Sequence, residues 1–352
     1  MIRKPNKKPP KVGGVQIFGS GSWTRTSDIR INSPLFYRLN YARIARISYN
    51  LFSCISSLFF IYCNLLYLML YFLPSNMMKK DLNMLLKGKK ILITGVANDW
   101  SMAWAIAKRA HEEGAEIAMP YAMPNLEKRV RPLAESIDAK FVQECNVQND
   151  EQMDALFAAI EKEWGHLDGV LHAIAFSDKN ELSGRYADTT RANFKNTMDI
   201  SVYSLVDLTR RAAPLMHDGG SVVALTYFGG EKSVPNYNVM GVAKSALDSS
   251  VRYLASDLGR DGIRVNAISA GPIMTLASSG VGGFKAMLRL NAEQTPLRRN
   301  MTLDDVSGAA VYLFSNLSSA VTGEVHHVDC GYSTTGMMPN ELKDILLKGL
   351  DD

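Results

Sequence analysis

Cysteine is scarce: four residues in 352, at positions 54, 63, 145 and 330. None forms a C-x-x-C pair, and no histidine stands at zinc-ligand spacing from them, so neither a disulfide framework nor a metal site is expected. A reducing compartment, the cytoplasm, fits this usage best. H-E-x-x-H, Walker and G-x-S-x-G sequences are missing too. Positive charge is also lacking where nucleic acid would need it. Residues 1–83 carry 12 Lys and Arg against 2 acids, whereas residues 84–352 carry 27 against 33. An acidic body offers no surface for neutralising a phosphate backbone, so no nucleic-acid partner is expected.

What is present suits a globular chain. Hydrophobic residues make up 47% and charged residues 21%, which excludes wholesale disorder. Two parts are expected: a non-homologous extension over 1–83 and a folded domain over 84–352. Residues 1–50 are rich in Pro, Lys, Arg, Ser and Asn without periodicity, as in a solvated segment. Residues 51–73 then run 23 positions without a charge, long enough to span a bilayer. The extension therefore reads in three ways: a start placed too early, with Met77, Met78 or Met84 as later starts; a membrane anchor holding the folded part in the cytoplasm; or an apolar arm. Membrane contact is expected only if the run 51–73 is a real segment of the protein.

From Met84 onward, short apolar runs alternate with amphipathic helical stretches. Lys90–Ile93 reads as a strand ending at Gly95, followed by a helix from about Ser101 to Glu113, and further runs lie at 116–122, 140–147, 168–176, 221–228, 263–269 and 324–329. Continuous apolar strands spaced by helices point to an α/β fold, a doubly wound Rossmann-type parallel sheet of about seven strands, with its ligand crevice at the strands' carboxyl ends. The first turn, Gly95 to Ala103, lacks G-x-G-x-x-G. Its physics still suits a dinucleotide: Gly95 allows a tight exit from the strand, and Ser101 can cap a helix whose positive end faces a pyrophosphate.

The segment with most chemistry runs from Ala224 to Lys244. Tyr227 stands at a strand end, Tyr237 ten residues later and Lys244 seven beyond that. Seven positions are close to two helical turns, so Tyr237 and Lys244 are expected on one helix face, the ammonium favouring the phenol's anionic form and supplying donors for ribose hydroxyls.

This stretch, with Pro235-Asn236-Tyr237-Asn238-Val239-Met240-Gly241, resembles the bacterial NADH-dependent enoyl-acyl-carrier-protein reductases, a branch of the short-chain dehydrogenase/reductase superfamily. The Gly95–Ala103 turn and Arg264–Ile273 carry the same resemblance, which covers residues 84 to 340. Commoner relatives place lysine four residues after the tyrosine, where this chain has Gly241.

The resemblance implies reduction of a trans-2-enoyl thioester, with Tyr237 on the thioester carbonyl, Tyr227 as a second active-site tyrosine and Lys244 on the nicotinamide ribose. It assigns Gly95, Ser101 and Met102 to the pyrophosphate region, Asn146 and Val147 to the adenine, Ile174 and Ala175 to the adjoining ribose side. Ile273, Met274, Thr275, Leu276 and Ala277 fall to the carboxamide and phosphates, and Ser177 and Met240 to the acyl substrate. It also implies acyl carrier protein as partner and a homotetramer.

Departures from the family pattern bear on the cofactor. Asn146 stands where an aspartate is usual, and Ala122 where a polar residue often meets the ribose; NADH thus rests on the resemblance, and Lys128 and Arg129 keep NADPH open. After Pro272, three glycines within 280–283 suggest a mobile loop in which Phe284 and Met287 form an apolar lid, with Lys285 and Arg289 as footing for an acidic carrier. The alternatives are a short-chain reductase acting on a carbonyl and a cofactor-sensing scaffold without catalysis.

Overall fold

A computed structural model describes residues 84–274 and 284–336, with no account of the side chains of 284–286. The chain divides into two compact units, Met1–Met77 and Met78–Asp352, and all described residues belong to the second. The extension with its apolar run 51–73, and positions 275–283, lie outside the described residues. Among those described, no helix is long and apolar enough to cross a membrane.

Strand β1 (Lys90–Ile93) leads into helix α1 (Met102–Glu112). Strand β2 (Glu116–Ala118) is followed by α2 (Glu127–Glu135) and α3 (Asp150–Trp164). After β3 (Gly169–His172), helix α4 (Arg191–Met198) passes through a π-helical turn, Asp199–Tyr203, into α5 (Ser204–Ala212). Then come β4 (Gly220–Thr226), α6 (Asn238–Leu258), β5 (Ile263–Ala270), α7 (Phe284–Gln294), α8 (Leu303–Phe314) and β6 (Val325–Val328).

All strand pairs are parallel, in the order β2-β1-β3-β4-β5-β6. Ile91 and Ile93 of β1 pack on one side of the sheet with α1 and α8, while Leu92 packs on the other with α3, α5 and α6. The two-residue alternation of strand side chains thus fills two cores at once, which is why the strands read as unbroken apolar runs. Phe314 is accommodated by the absence of a side chain on Gly169, where a Cβ would stand 2.9 Å from the ring. The strand order reverses between β1 and β3, which places the ligand crevice at their carboxyl ends.

The described sheet has six strands where the sequence suggested seven. The run 140–147 does approach β2: Lys140 N donates to Ile117 O and Cys145 N to Tyr121 O. Phe141 breaks it, taking a left-handed φ of 53° that a continuous strand does not accommodate, and only the bridges Ala118–Lys140 and Tyr121–Glu144 survive. The same turn sets the Phe141 ring edge-on to Trp164 at 5.0 Å.

Candidate active site

The exit of β1 forms one wall of the crevice. Gly95 has φ +87°, and a Cβ there would lie 2.1 Å from the carbonyl oxygen of Ala173, so only glycine fits. Ser101 caps α1 as expected, accepting from Trp104 N at 3.3 Å while donating to Asn98 O at 2.7 Å. The first turn of α1 carries no acidic residue, whereas α3 and α8 each begin with two. Its positive end is therefore open to an anion. Beside it a cavity of about 170 Å³ is lined by Gly95, Val96, Ala97, Ala122, Val147, Ile174 and Ala175, together with Thr94, Pro120, Leu126 and Cys145. This apolar slot flanked by a helix terminus has the size and lining for a flat aromatic base. Asn146 Oδ1 accepts from Gln148 N at 3.1 Å, which orients the amide and leaves its oxygen a second lone pair.

Across the crevice, the rings of Tyr227 and Tyr237 meet edge to face, centroids 5.0 Å apart. Gly229 permits this approach: a Cβ on it would stand 2.5 Å from Tyr237 Cδ1 and 3.1 Å from Tyr227 Cδ1. Lys244, buried to 6% exposure, donates from Nζ to Leu225 O at 2.8 Å, the carbonyl two residues before Tyr227. Burial lowers its pKa to about 8, against a partial upward pull from Asp248, one turn further along α6.

Two expectations are corrected by this arrangement. Tyr237 is not inside a helix: it is the residue before α6, at φ −120°, between Asn236 and Asn238, whose φ values are 59° and 32°. Nor does the ammonium favour a phenolate. Burial, then Tyr227 and Asp248, push the Tyr237 pKa up, because the lysine is turned to a backbone oxygen and the strongest influence is loss of water. Tyr227 is raised as well, by burial and by Tyr332. Both phenols are therefore hydrogen-bond donors at neutral pH.

The third wall is polar, and it surrounds the expected Ser177 with residues the sequence did not single out. Ser177 Oγ lies 3.3 Å from Asn193 Oδ1 and accepts from Thr197 Oγ1 at 2.9 Å. Ser201, fully buried, accepts from Phe176 N at 3.0 Å and donates to Phe176 O at 3.1 Å. The π-helical turn between α4 and α5 is what aims Ser201 at this backbone. Met240 reaches the same hydroxyl, its sulfur 4.0 Å away.

Comparison with known proteins decides the family. A family model described as enoyl-(acyl carrier protein) reductase matches residues 95–333. The NADH enoyl-acyl-carrier-protein reductase of Rickettsia felis is 59% identical over 252 residues, 72% of this chain and 97% of the relative. This chain belongs to the enoyl-acyl-carrier-protein reductase family.

Solved members of the reductase family agree with the fold. A crystal structure of the Anaplasma phagocytophilum reductase in complex with NAD superposes with a TM-score of 0.71 at 55% identity, covering 73% of this chain and 98% of that one. The Bacillus cereus reductase, described with NADP+ and an indole naphthyridinone, gives 0.70 at 48% identity, covering 72% and 99%.

Of the residues expected at the site, Gly95, Val147, Ile174 and Ala175 line one cavity, with Ser101 and Met102 at the start of α1 and Asn146 in a turn nearby. Tyr227, Tyr237 and Lys244 converge at the β4 exit, Met240 touches Ser201, and Ser177 bonds Asn193. Ile273 and Met274 are partly buried just after β5, and Met287 is partly buried on α7. Thr275, Leu276 and Ala277 lie outside the described residues, as does the Phe284 side chain, so the lid is not described. Asn193, Thr197, Ser201 and Asn238 were missed. Their signal was slight, although polar residues on the inner face of an otherwise amphipathic helix break the apolar stripe.

Proposed function

We propose that this chain is an NADH-dependent enoyl-acyl-carrier-protein reductase, catalysing the reduction of the trans-2 double bond that closes each round of fatty-acid elongation. The observation that carries the reading is the Tyr227–Tyr237 pair beside a buried Lys244 in a family whose relatives are named for this reaction. The reduced nicotinamide, when bound, supplies hydride to the β-carbon of the enoyl thioester. The charge displaced onto the thioester oxygen calls for a donor, and Tyr237, neutral and desolvated, is suited to donate there. Lys244 offers an ammonium to ribose hydroxyls, and Gly95 with the α1 terminus accommodates the pyrophosphate. Tyr227 buttresses the Tyr237 ring and has a hydroxyl of its own for the proton that must reach the α-carbon.

Residues 84–352 form the catalytic domain in this reading, with acyl carrier protein delivering the substrate in the cytoplasm. A homotetramer belongs to the same reading, and the exposed rings of Tyr203 at 55% and Tyr253 at 73% are aromatic surface that contacts between copies could cover. NADPH remains a second reading because a family member is described with NADP+. The test is loss of reduced-nicotinamide absorbance with enoyl and ketoacyl thioesters side by side, using each cofactor in turn. Consumption of NADH with the enoyl thioester alone is the expected result; turnover of the ketoacyl thioester instead would refute the assignment.

A further inference from the structure

The turn that carries Tyr237 is an unfavourable one for ordinary residues. Asn236 and Asn238 both hold positive φ, 59° and 32°, a region that asparagine tolerates better than most. Asn238 does more than tolerate it. Its Nδ2 points at three carbonyl oxygens of one loop: Glu181 at 3.2 Å, Gly184 at 3.3 Å and Ser183 at 3.5 Å. Three acceptors around one amide form a cradle that only a donor fits.

That loop is itself fastened at its other end. The Glu181 carboxylate accepts from Thr190 N and Thr190 Oγ1, both at 2.9 Å, and from Asn193 Nδ2 at 3.2 Å. Asn193 Oδ1 in turn accepts from Asp178 N at 3.0 Å and lies 3.3 Å from Ser177 Oγ. A continuous run of hydrogen bonds therefore connects Ser177 on one side of the crevice to the residue after Tyr237 on the other. The run passes through Asn193, Glu181 and Asn238.

We propose that Asn238 is a positioning residue: by clamping the 181–184 loop it fixes Tyr237 against the wall bearing Ser177, and so sets the gap into which the acyl thioester fits. The proposal rests on the function assigned above. It predicts a role in handling the thioester and none in holding the dinucleotide, because the clamp lies away from the cavity between Gly95 and Ala175.

Two variants separate the side chain from the backbone. Asn238→Asp keeps the shape and the tolerance of positive φ but turns an acceptor toward three acceptors; Asn238→Gly relieves the backbone and removes the clamp. Both are expected to lower kcat/KM for crotonyl and dodecenoyl thioesters by about ten-fold or more. NADH affinity, followed by fluorescence titration, is expected to stay within about two-fold of the parent. Independently of turnover, limited trypsin digestion should cut both variants faster than the parent at Lys179 and Arg185. An Asn238→Gly protein with parental kcat/KM would overturn the proposal, since the residue would then serve only its φ. NADH binding that weakens in step with turnover, or unchanged cleavage at Arg185, would overturn it too. A parent inert toward every enoyl thioester would sink the assigned function and the positioning role with it, while the cleavage rates would still report whether Asn238 holds the loop.

Discussion

Gly241 lies directly over Gly229: a Cβ on Gly241 would stand 2.8 Å from the Gly229 carbonyl oxygen. This closeness leaves no room for a side chain, lysine included, four residues after Tyr237. The loop that brings Tyr227 and Tyr237 ring to ring occupies the space a side chain at 241 would need. Gly241→Ala should therefore cost about 1–3 kcal/mol of stability, as overpacking does, and should push Gly229 away from the tyrosines. A thermal melt and kcat measured together check this; an alanine variant with parental values in both would contradict it.

The two tyrosines are expected to fail differently when trimmed. Tyr237→Phe removes the donor from the developing oxyanion and should lower hydride transfer by about 10²–10³-fold, with NADH binding retained. Tyr227→Phe keeps the edge-to-face packing and should lose less. Stopped-flow traces of nicotinamide oxidation distinguish the two, and equal losses would argue against Tyr237 as the principal donor.

Lys244 predicts a pH dependence. With its pKa lowered to about 8 by burial, the amine is charged below that pH and loses its proton above it. NADH affinity of the free protein should weaken as pH rises through about 8, and Lys244→Ala should be weak at every pH. For stability the sign is opposite. Between about 8 and the ordinary 10.5 the unfolded chain holds more protons than the folded one. The penalty of burying this charge is therefore complete below about 8 and is relieved as pH rises. NADH titrations from pH 6.5 to 9.5 that stay flat would contradict the assignment.

Helix α8 supplies a stability test away from the site. Thr302 and Asp305 form a reciprocal capping box, and Arg299 together with Thr302 depresses the Asp305 pKa. A depressed carboxylate contributes stability above its ordinary value of 3.8 and loses it as pH falls further. Thr302→Ala should cost about 1 kcal/mol, and Asp305→Asn should lower the melting temperature at pH 7 more than at pH 3. Equal shifts at both would speak against the charge.

What could be read before the structure was whatever repeats or punctuates. Strands β1, β4 and β5 announced themselves as apolar runs because both faces of the sheet are covered, and Ser101 as a cap because the helix after it is amphipathic. Spacing and resemblance singled out Tyr227, Tyr237 and Lys244, and the structure gathers them at one end of β4. Illegible were the places where one residue's φ overrides the pattern. Phe141 broke a seventh strand whose apolar run looked continuous, and Asn236 with Asn238 held Tyr237 outside the helix that spacing implied. The sign of the Tyr237 shift was also hidden, since it depends on where the Lys244 amine points, at Leu225, and not on how far along the helix it lies.

The π-turn at Asp199–Tyr203 leaves the reductase a surplus residue in the middle of a long helix. Deleting a residue from regular helix rotates everything beyond it by about 100°, which here would swing Leu205 and Leu208 out of the core. Deleting one within 199–203 would instead restore an ordinary turn and keep those leucines in phase. The segment would stay folded yet lose the hydroxyl that grips Phe176, a change invisible to circular dichroism and visible in KM for the thioester.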